Sequence, residues 1–244
     1  MSVGTGKLIG VGVGPGDPDL LTLKAMRALG VADVISYFAK AGNASHARAI
    51  AAAHLRAGIA ELPLFYPVTT ELPKCSDGYR DAIADFYDGA AAKIAAHLKA
   101  GRMVVVLCEG DPLFYGSYMH LHARLAARFA TEIVAGVTGM SGCWSAAGMP
   151  IAQGNDVFTV LPATLPEDEL ARRLADSDAA VVMKVGRHLP KLRRALQCSG
   201  RLDRAIYVER GTMADAKMVP LAAKTDDDAP YFAVVLVPGW EDRP

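Results

Sequence analysis

The sequence predicts an α/β fold in two domains, and three observations carry that reading. Five apolar runs of strand length alternate with helix-period segments through the first half. Beyond residues 139–148 the apolar runs crowd together and several are separated only by short turns. A glycine-rich turn, Gly10-Val-Gly-Val-Gly-Pro-Gly-Asp-Pro18, directly follows the first run, at the sheet edge where open α/β folds bind ligands.

Taken in order, the first-half strands are expected at 7–13, 33–38, 59–65, 103–108 and 132–135. These runs are apolar throughout and do not alternate, so both faces should be covered by helices, which predicts a parallel sheet. Helical periodicity spans 20–29, 46–55 and 79–99, and Gly30, Gly58 and Gly101 stand where left-handed C-caps would stop those helices. In the second half, runs at 158–161, 179–185, 205–208, 218–221 and 232–237 favour a mixed or antiparallel sheet with fewer helices. The glycine-rich stretch near 140 is expected to join the two, giving domains 1–140 and 141–244. Residues 224–228 are expected to form a solvated loop.

Composition narrows the function. The 244 residues carry 26 basic and 26 acidic side chains, so no overall field draws the chain to nucleic acid or an anionic membrane, and an anionic ligand must meet a local basic patch. No apolar stretch approaches the roughly 18 residues a membrane span needs. The opening segment lacks a signal-peptide core, so a cytoplasmic location is expected. Cys75, Cys108, Cys143 and Cys198 are widely spaced, which argues for reduced thiols over a zinc knuckle or disulfide framework.

The Gly10–Pro18 turn fails the dinucleotide spacing, because Pro15 and Asp17 fall where the third glycine is required. Asp17 at a helix start would also repel a phosphate, so it reads as an N-terminal cap. A second loop, Val105-Val-Leu-Cys-Glu-Gly-Asp-Pro-Leu-Phe-Tyr-Gly-Ser117, leaves the fourth strand and should lie beside the first. Amides near Gly110 are candidates for binding a zwitterionic amino acid or a ribose, while Asp111 before Pro112 equally suits a turn. A third strand end, Ile133-Val-Ala-Gly-Val-Thr-Gly-Met-Ser-Gly-Cys143, again supplies small residues and the Thr138 hydroxyl. Three such loops at neighbouring strand ends point to one crevice.

This set and order of motifs resembles the tetrapyrrole methylases, S-adenosylmethionine-dependent enzymes with a GxGPGDP start, a GDPxxY/F loop and a PGxTS-like segment. Val182-Met-Lys184, Glu209-Arg-Gly-Thr212, Pro67-Val-Thr-Thr-Glu71 and Pro230-Tyr-Phe-Ala233 extend the likeness over essentially the whole chain. Two departures are Gly116, where many relatives carry a hydroxyl, and Ala135-Gly136 in place of Pro-Gly. The resemblance implies a parallel-sheet αβα domain, a mixed-sheet α/β domain, an active site in the cleft between them and a homodimer. It implies methylation of a tetrapyrrole carbon on the route to cobalamin, with S-adenosylmethionine as co-substrate and no metal. Donor contacts then fall to Pro15, Glu109, Gly110, Asp111, Phe114, Thr138, Gly139, Met183 and Gly211.

For such a reaction the sulfonium is already activated, and holding the reacting carbons near contact removes roughly 7–11 kcal/mol of barrier, more than one general base supplies. Tyr115, Glu109, His120 and His122 are the candidates for taking the departing proton. His120 and His122 point about 200° apart on a helix, so they do not share a metal. An acidic macrocycle requires cations, and Lys184, Arg187, His188 and Lys191 cluster after a strand end, with Lys184 and Arg187 the leading substrate contacts. Arg193, Arg194, Arg201 and Arg204 are expected on the outer surface. Precorrin-2, its cobalt-bearing analogue and uroporphyrinogen-III remain open as substrates, and a non-catalytic nucleotide or anion sensor is the reading from another class.

Overall fold

A computed structural model describes residues 6–67 and 77–239. The Val68–Glu71 part of the third-strand motif and Cys75 lie outside those residues. The chain divides into two compact units, Met1–Thr138 and Gly139–Pro244.

In the first unit five strands, β1 (Lys7–Gly12), β2 (Val34–Lys40), β3 (Ala60–Tyr66), β4 (Val104–Cys108) and β5 (Ala130–Val134), form one sheet of order β3-β2-β4-β1-β5. Every pairing is parallel. Helices α1 (Leu23–Val31) and α2 (His46–Ala51) pack on one face with Ile9, Val11, Ile35 and Leu107. Helices α3 (Asp77–Lys99) and α4 (Tyr118–Leu125) pack on the other with Leu8, Val34, Val104 and Val106. Right-handed crossovers explain the division, since the chain steps one way along the sheet to reach β3 and the other way afterwards. Neighbouring β1 and β4 therefore send their exits to opposite faces, which opens a crevice at their carboxyl ends.

Local chemistry sets the boundaries. Asp17 caps a short 3-10 turn, Pro18–Leu20, by accepting from the Asp19 amide, and Thr22 caps α1 through Ala25, so α1 starts later than its periodicity suggested. Gly30 does not end α1: it lies inside the helix, which closes at Ala32 through a bond to the Leu29 carbonyl. Gly58 and Gly101 do adopt positive φ, Gly101 directly beyond α3.

The second unit opens with α5 (Gly139–Ala146), so the glycine-rich stretch is helical and starts where the first unit ends; Gly142 and Cys143 are buried within it. A mixed sheet follows, of β6 (Phe158–Pro162), β7 (Ala179–Met183), β8 (Ile206–Glu209), β9 (Lys217–Pro220) and β10 (Ala233–Val237), in the order β6-β7-β10-β8-β9. Only β6 and β7 pair in parallel. Helices α6 (Glu167–Ala175) and α7 (Leu189–Cys198) bury Leu170, Leu174, Leu192 and Leu196 on one face, while α5 covers Val181, Val208 and Leu236 on the other.

The 224–228 loop is held rather than freely solvated. Lys224 lies over the Tyr207 ring and pairs with Asp226, and Arg193 donates to the carbonyls of Leu221, Lys224 and Asp226. Arg201 and Arg204 likewise donate to the carbonyls of Ser177 and Asp178, so these two arginines fasten the turn before β7. No helix among the described residues is long and apolar enough to cross a membrane.

Candidate active site

Three loops of the first unit meet backbone to backbone. Beyond β1, Gly14 and Gly110 form an antiparallel bridge, with the Gly110 amide donating to the Gly14 carbonyl at 2.8 Å. A Cβ on Gly12 would stand 2.5 Å from the Gly110 oxygen and 2.6 Å from Gly136 Cα. On Gly136 it would stand 2.1 Å from the Gly110 oxygen. Approach this close requires glycine at both positions. The Gly110 amide itself is paired within the bridge.

Asp111 occupies the middle of this junction. Its Oδ1 accepts from the Leu113 amide at 2.9 Å, closing an Asx turn, and its Oδ2 accepts from the Gly136 amide at 3.1 Å. Glu109, one residue beyond β4, points to the start of α2, where its carboxylate takes the Ala47 amide beside His46. Burial pushes its pKa up, opposed by His46 and that amide. At the far side of the second loop the Tyr66 hydroxyl pairs with Ser117, and the Tyr66 ring stacks on Phe38 at 5.6 Å and meets Phe86 at a tilt, 4.8 Å between centroids. Sequence gave no sign of this Tyr66–Ser117 tie, because the partners stand on separate elements 51 residues apart.

Phe114 is half-buried and meets the Tyr115 ring edge-on at 4.9 Å. Tyr115 is 48% exposed with φ 55°, a conformation that costs a bulky residue roughly 1–3 kcal/mol. Pro15, Thr138 and Gly139 are half-buried, and a Cβ on Gly139 would meet nothing within 4 Å. Of the two histidines, His120 stacks on Tyr87 at 4.1 Å, and its pKa is lowered by burial and by Arg124; His122 lies a turn-fraction away against Tyr118.

In the second unit Met183 ends β7, its carbonyl accepting from Ala163, and packs against the cluster of Cys143, Val181 and Val208. Gly211 lies against α5, where a Cβ would meet Cys143 Sγ at 2.9 Å. Burial holds the Cys143 thiol up at about 11, so it stays neutral. Lys184 and Arg210, which follow β7 and β8, are the other non-glycine residues with positive φ among those described, at 57° and 51°. All three strained residues thus fall on strand-end loops that carry proposed contacts. Glu209 is buried and braces this turn: it accepts from the Tyr207 hydroxyl at 3.1 Å and from Arg210 at 3.0 Å.

The basic group after β7 divides. Lys191 donates to the Leu165 carbonyl and serves the fold, while His188 has its pKa lowered by burial and by Lys191 and Arg187. Lys184 and Arg187 are exposed. Among the described residues no three His, Cys, Asp or Glu side chains gather as a metal would require.

The family model of the tetrapyrrole (corrin/porphyrin) methylases matches residues 7–225. A precorrin-2 C(20)-methyltransferase of Sinorhizobium sp is 64% identical over 99% of both chains. The cobalt-precorrin-2 C(20)-methyltransferase of Salmonella typhimurium is 30% identical, over 97% of this chain and 98% of its own. Among solved structures, the uroporphyrin-III C-methyltransferase of Thermus thermophilus complexed with S-adenyl homocysteine superposes with a TM-score of 0.65 at 23% identity, covering 95% of this chain and 96% of that one.

Proposed function

From the premise that this chain belongs to the tetrapyrrole (corrin/porphyrin) methylases, we propose that it transfers the methyl group of S-adenosylmethionine to C20 of precorrin-2, giving precorrin-3A in cobalamin biosynthesis. The observation that carries the substrate assignment is the 64% identity to a precorrin-2 enzyme, against 30% to one named for the cobalt-bearing substrate. The test is a methylation assay on metal-free and cobalt-containing precorrin-2, with the modified carbon located by NMR. Transfer to C20 of the metal-free substrate supports the reading. Transfer only to the cobalt form, or to uroporphyrinogen-III, replaces it. We further propose action in the cytoplasm, as a homodimer and without a metal.

Bound S-adenosylmethionine supplies an activated methyl group. The loops fit such a donor because the first unit offers the half-buried Phe114 ring and the Thr138 hydroxyl, and the backbone around Gly139, which opens the second unit, is open. Pro15, Glu109 and Gly110 on the first two loops, and Met183 and Gly211 in the second unit, complete the proposed contacts, with Asp111 beside them in the second loop. Chemistry at the chain's own residues then reduces to placement and removal of one proton.

Glu109 and Tyr115 are the proposed proton acceptors, and Glu109 has the stronger claim because burial raises its proton affinity toward the working pH. Folding holds that proton more tightly than the unfolded chain does, so Glu109 stabilises below about pH 4.5, and the contribution is lost as pH rises through the folded-state value. Glu109→Gln is therefore expected to flatten that loss and lower kcat by about 100-fold. A pH series of unfolding and steady-state rates checks both; an unchanged kcat passes the role to Tyr115.

Lys184 and Arg187 are proposed to bind substrate carboxylates. Arg187→Ala should raise the KM for the tetrapyrrole by about tenfold, the worth of one charge-assisted hydrogen bond, with little change in affinity for the donor. Parallel titrations with tetrapyrrole and S-adenosylhomocysteine read that split, and an unchanged KM removes Arg187 from the site.

A further inference from the structure

The Asp111 side chain fastens the second strand-end loop to the third. One carboxylate oxygen accepts the Leu113 amide and so bends its own loop; the other accepts the Gly136 amide two residues beyond β5. Gly136 is also where the two loops touch most closely, a Cβ there standing 2.1 Å from the Gly110 oxygen. The carboxylate thus spans the junction whose spacing decides how far Thr138 stands from Gly110. Both oxygens are committed to backbone amides, the arrangement that gives charge-assisted hydrogen bonds their strength.

We propose that Asp111 is a positioning residue of the donor site: it acts through the Gly136 amide, holding the second and third loops at fixed spacing, and does not carry the donor's charge. The inference rests on the donor reading above and deepens it. An amino-acid ligand for this carboxylate would have to compete with two amides already in place, whereas a clamp uses both as they stand.

The experiment compares Asp111→Ala and Asp111→Asn with the unaltered protein. It reads S-adenosylhomocysteine affinity by calorimetry, tetrapyrrole KM, and amide hydrogen exchange at Gly136 in the ligand-free protein. Asp111→Ala should weaken S-adenosylhomocysteine by about tenfold and speed Gly136 exchange by a similar factor, leaving the tetrapyrrole KM within twofold. Asp111→Asn keeps one acceptor oxygen and sets its NH2 against the other amide donor, so its affinity and Gly136 exchange should change together and fall between those of the alanine variant and the unaltered protein. Unchanged Gly136 exchange in Asp111→Ala, or an asparagine variant as weak as the alanine one, overturns the proposal. Should the alanine variant fail to fold, the asparagine variant decides alone: weaker affinity together with faster Gly136 exchange supports the clamp, and weaker affinity with unchanged Gly136 exchange contradicts it. If the unaltered protein fails to bind S-adenosylhomocysteine, the donor reading itself fails, while Gly136 exchange still reports on the clamp.

Discussion

Gly136→Ala is expected to weaken S-adenosylhomocysteine binding by at least about 100-fold and to leave methyl transfer undetectable, although the protein still folds. The added Cβ would lie 2.1 Å from the Gly110 oxygen and 2.8 Å from Gly12 Cα. Both neighbours are backbone, and neither swings aside as the tip of a long side chain does. One of the three loops must therefore shift by about an ångström, a displacement that costs about 100-fold when it misplaces reacting groups. The shift also breaks the bond from the Gly136 amide to Asp111. Gly89→Ala is the control, because a Cβ at that exposed position on α3 meets nothing within 4 Å and alanine is the better helix former. Calorimetric titration of both variants checks the contrast, and near-equal affinities would mean that the three-loop junction does not shape the donor site.

Gly10→Ala is expected to destabilise the first unit by about 1–3 kcal/mol, the usual cost of overpacking a filled core. Its Cβ would penetrate the Tyr118 ring, with three ring carbons at 2.5–2.8 Å. Tyr118 is fully buried at the start of α4, among Leu8, Val106, Cys108 and Leu121. No space is open for the ring to retreat into, so the strain falls on the packing of α4 against β1. Tyr118→Leu in the same chain should return part of the loss, and the two substitutions should couple by about 0.5–3 kcal/mol in a double-mutant cycle. Denaturant unfolding of the four proteins measures that coupling; strict additivity would contradict the packing argument. The first glycine of the Gly10–Pro18 motif therefore answers to the core, while Gly12 answers to the loops at the sheet edge.

Those two glycines show what the sequence made legible and what it withheld. A run of glycines after a strand marks a close approach, but not what approaches: a tyrosine 108 residues away for one, two other loop backbones for the other. Apolar runs located all five strands of each sheet within a few residues; continuous burial explains the signal for β1, β4, β7 and β10, while β9 is exposed throughout and was marked by composition alone. Turn chemistry was less secure. Gly30 reads as a helix stop yet lies inside α1, since the Leu29 carbonyl is satisfied through Ala32 instead. The glycines of the 139–148 stretch hide its helical form, yet Met140, Cys143 and Trp144 pack on the second sheet and hold α5 there.

Within the site, Asp111 was readable as a turn former from the proline that follows it, and the Leu113 bond agrees. Its second partner, Gly136, lies 25 residues on and left no local trace. Neither did the left-handed backbone at Tyr115, Lys184 and Arg210, because none is a residue type that signals such a conformation. Strain of this kind is imposed by the surrounding fold, so only the folded chain displays it. The basic cluster after β7 was visible as composition, but its division into Lys191, which serves the fold, and the exposed Lys184 and Arg187 depended on where the Leu165 carbonyl lies.

The account depends on the first unit's three strand-end loops being the place where the methyl donor rests. A crystal structure with S-adenosylhomocysteine bound tests this directly. The ligand is predicted to lie against the Gly110, Thr138 and Gly139 backbone with Asp111 still bonded to the Gly136 amide. Finding it on another surface, or finding these loops closed around the phosphates of a nucleoside triphosphate, would contradict the account.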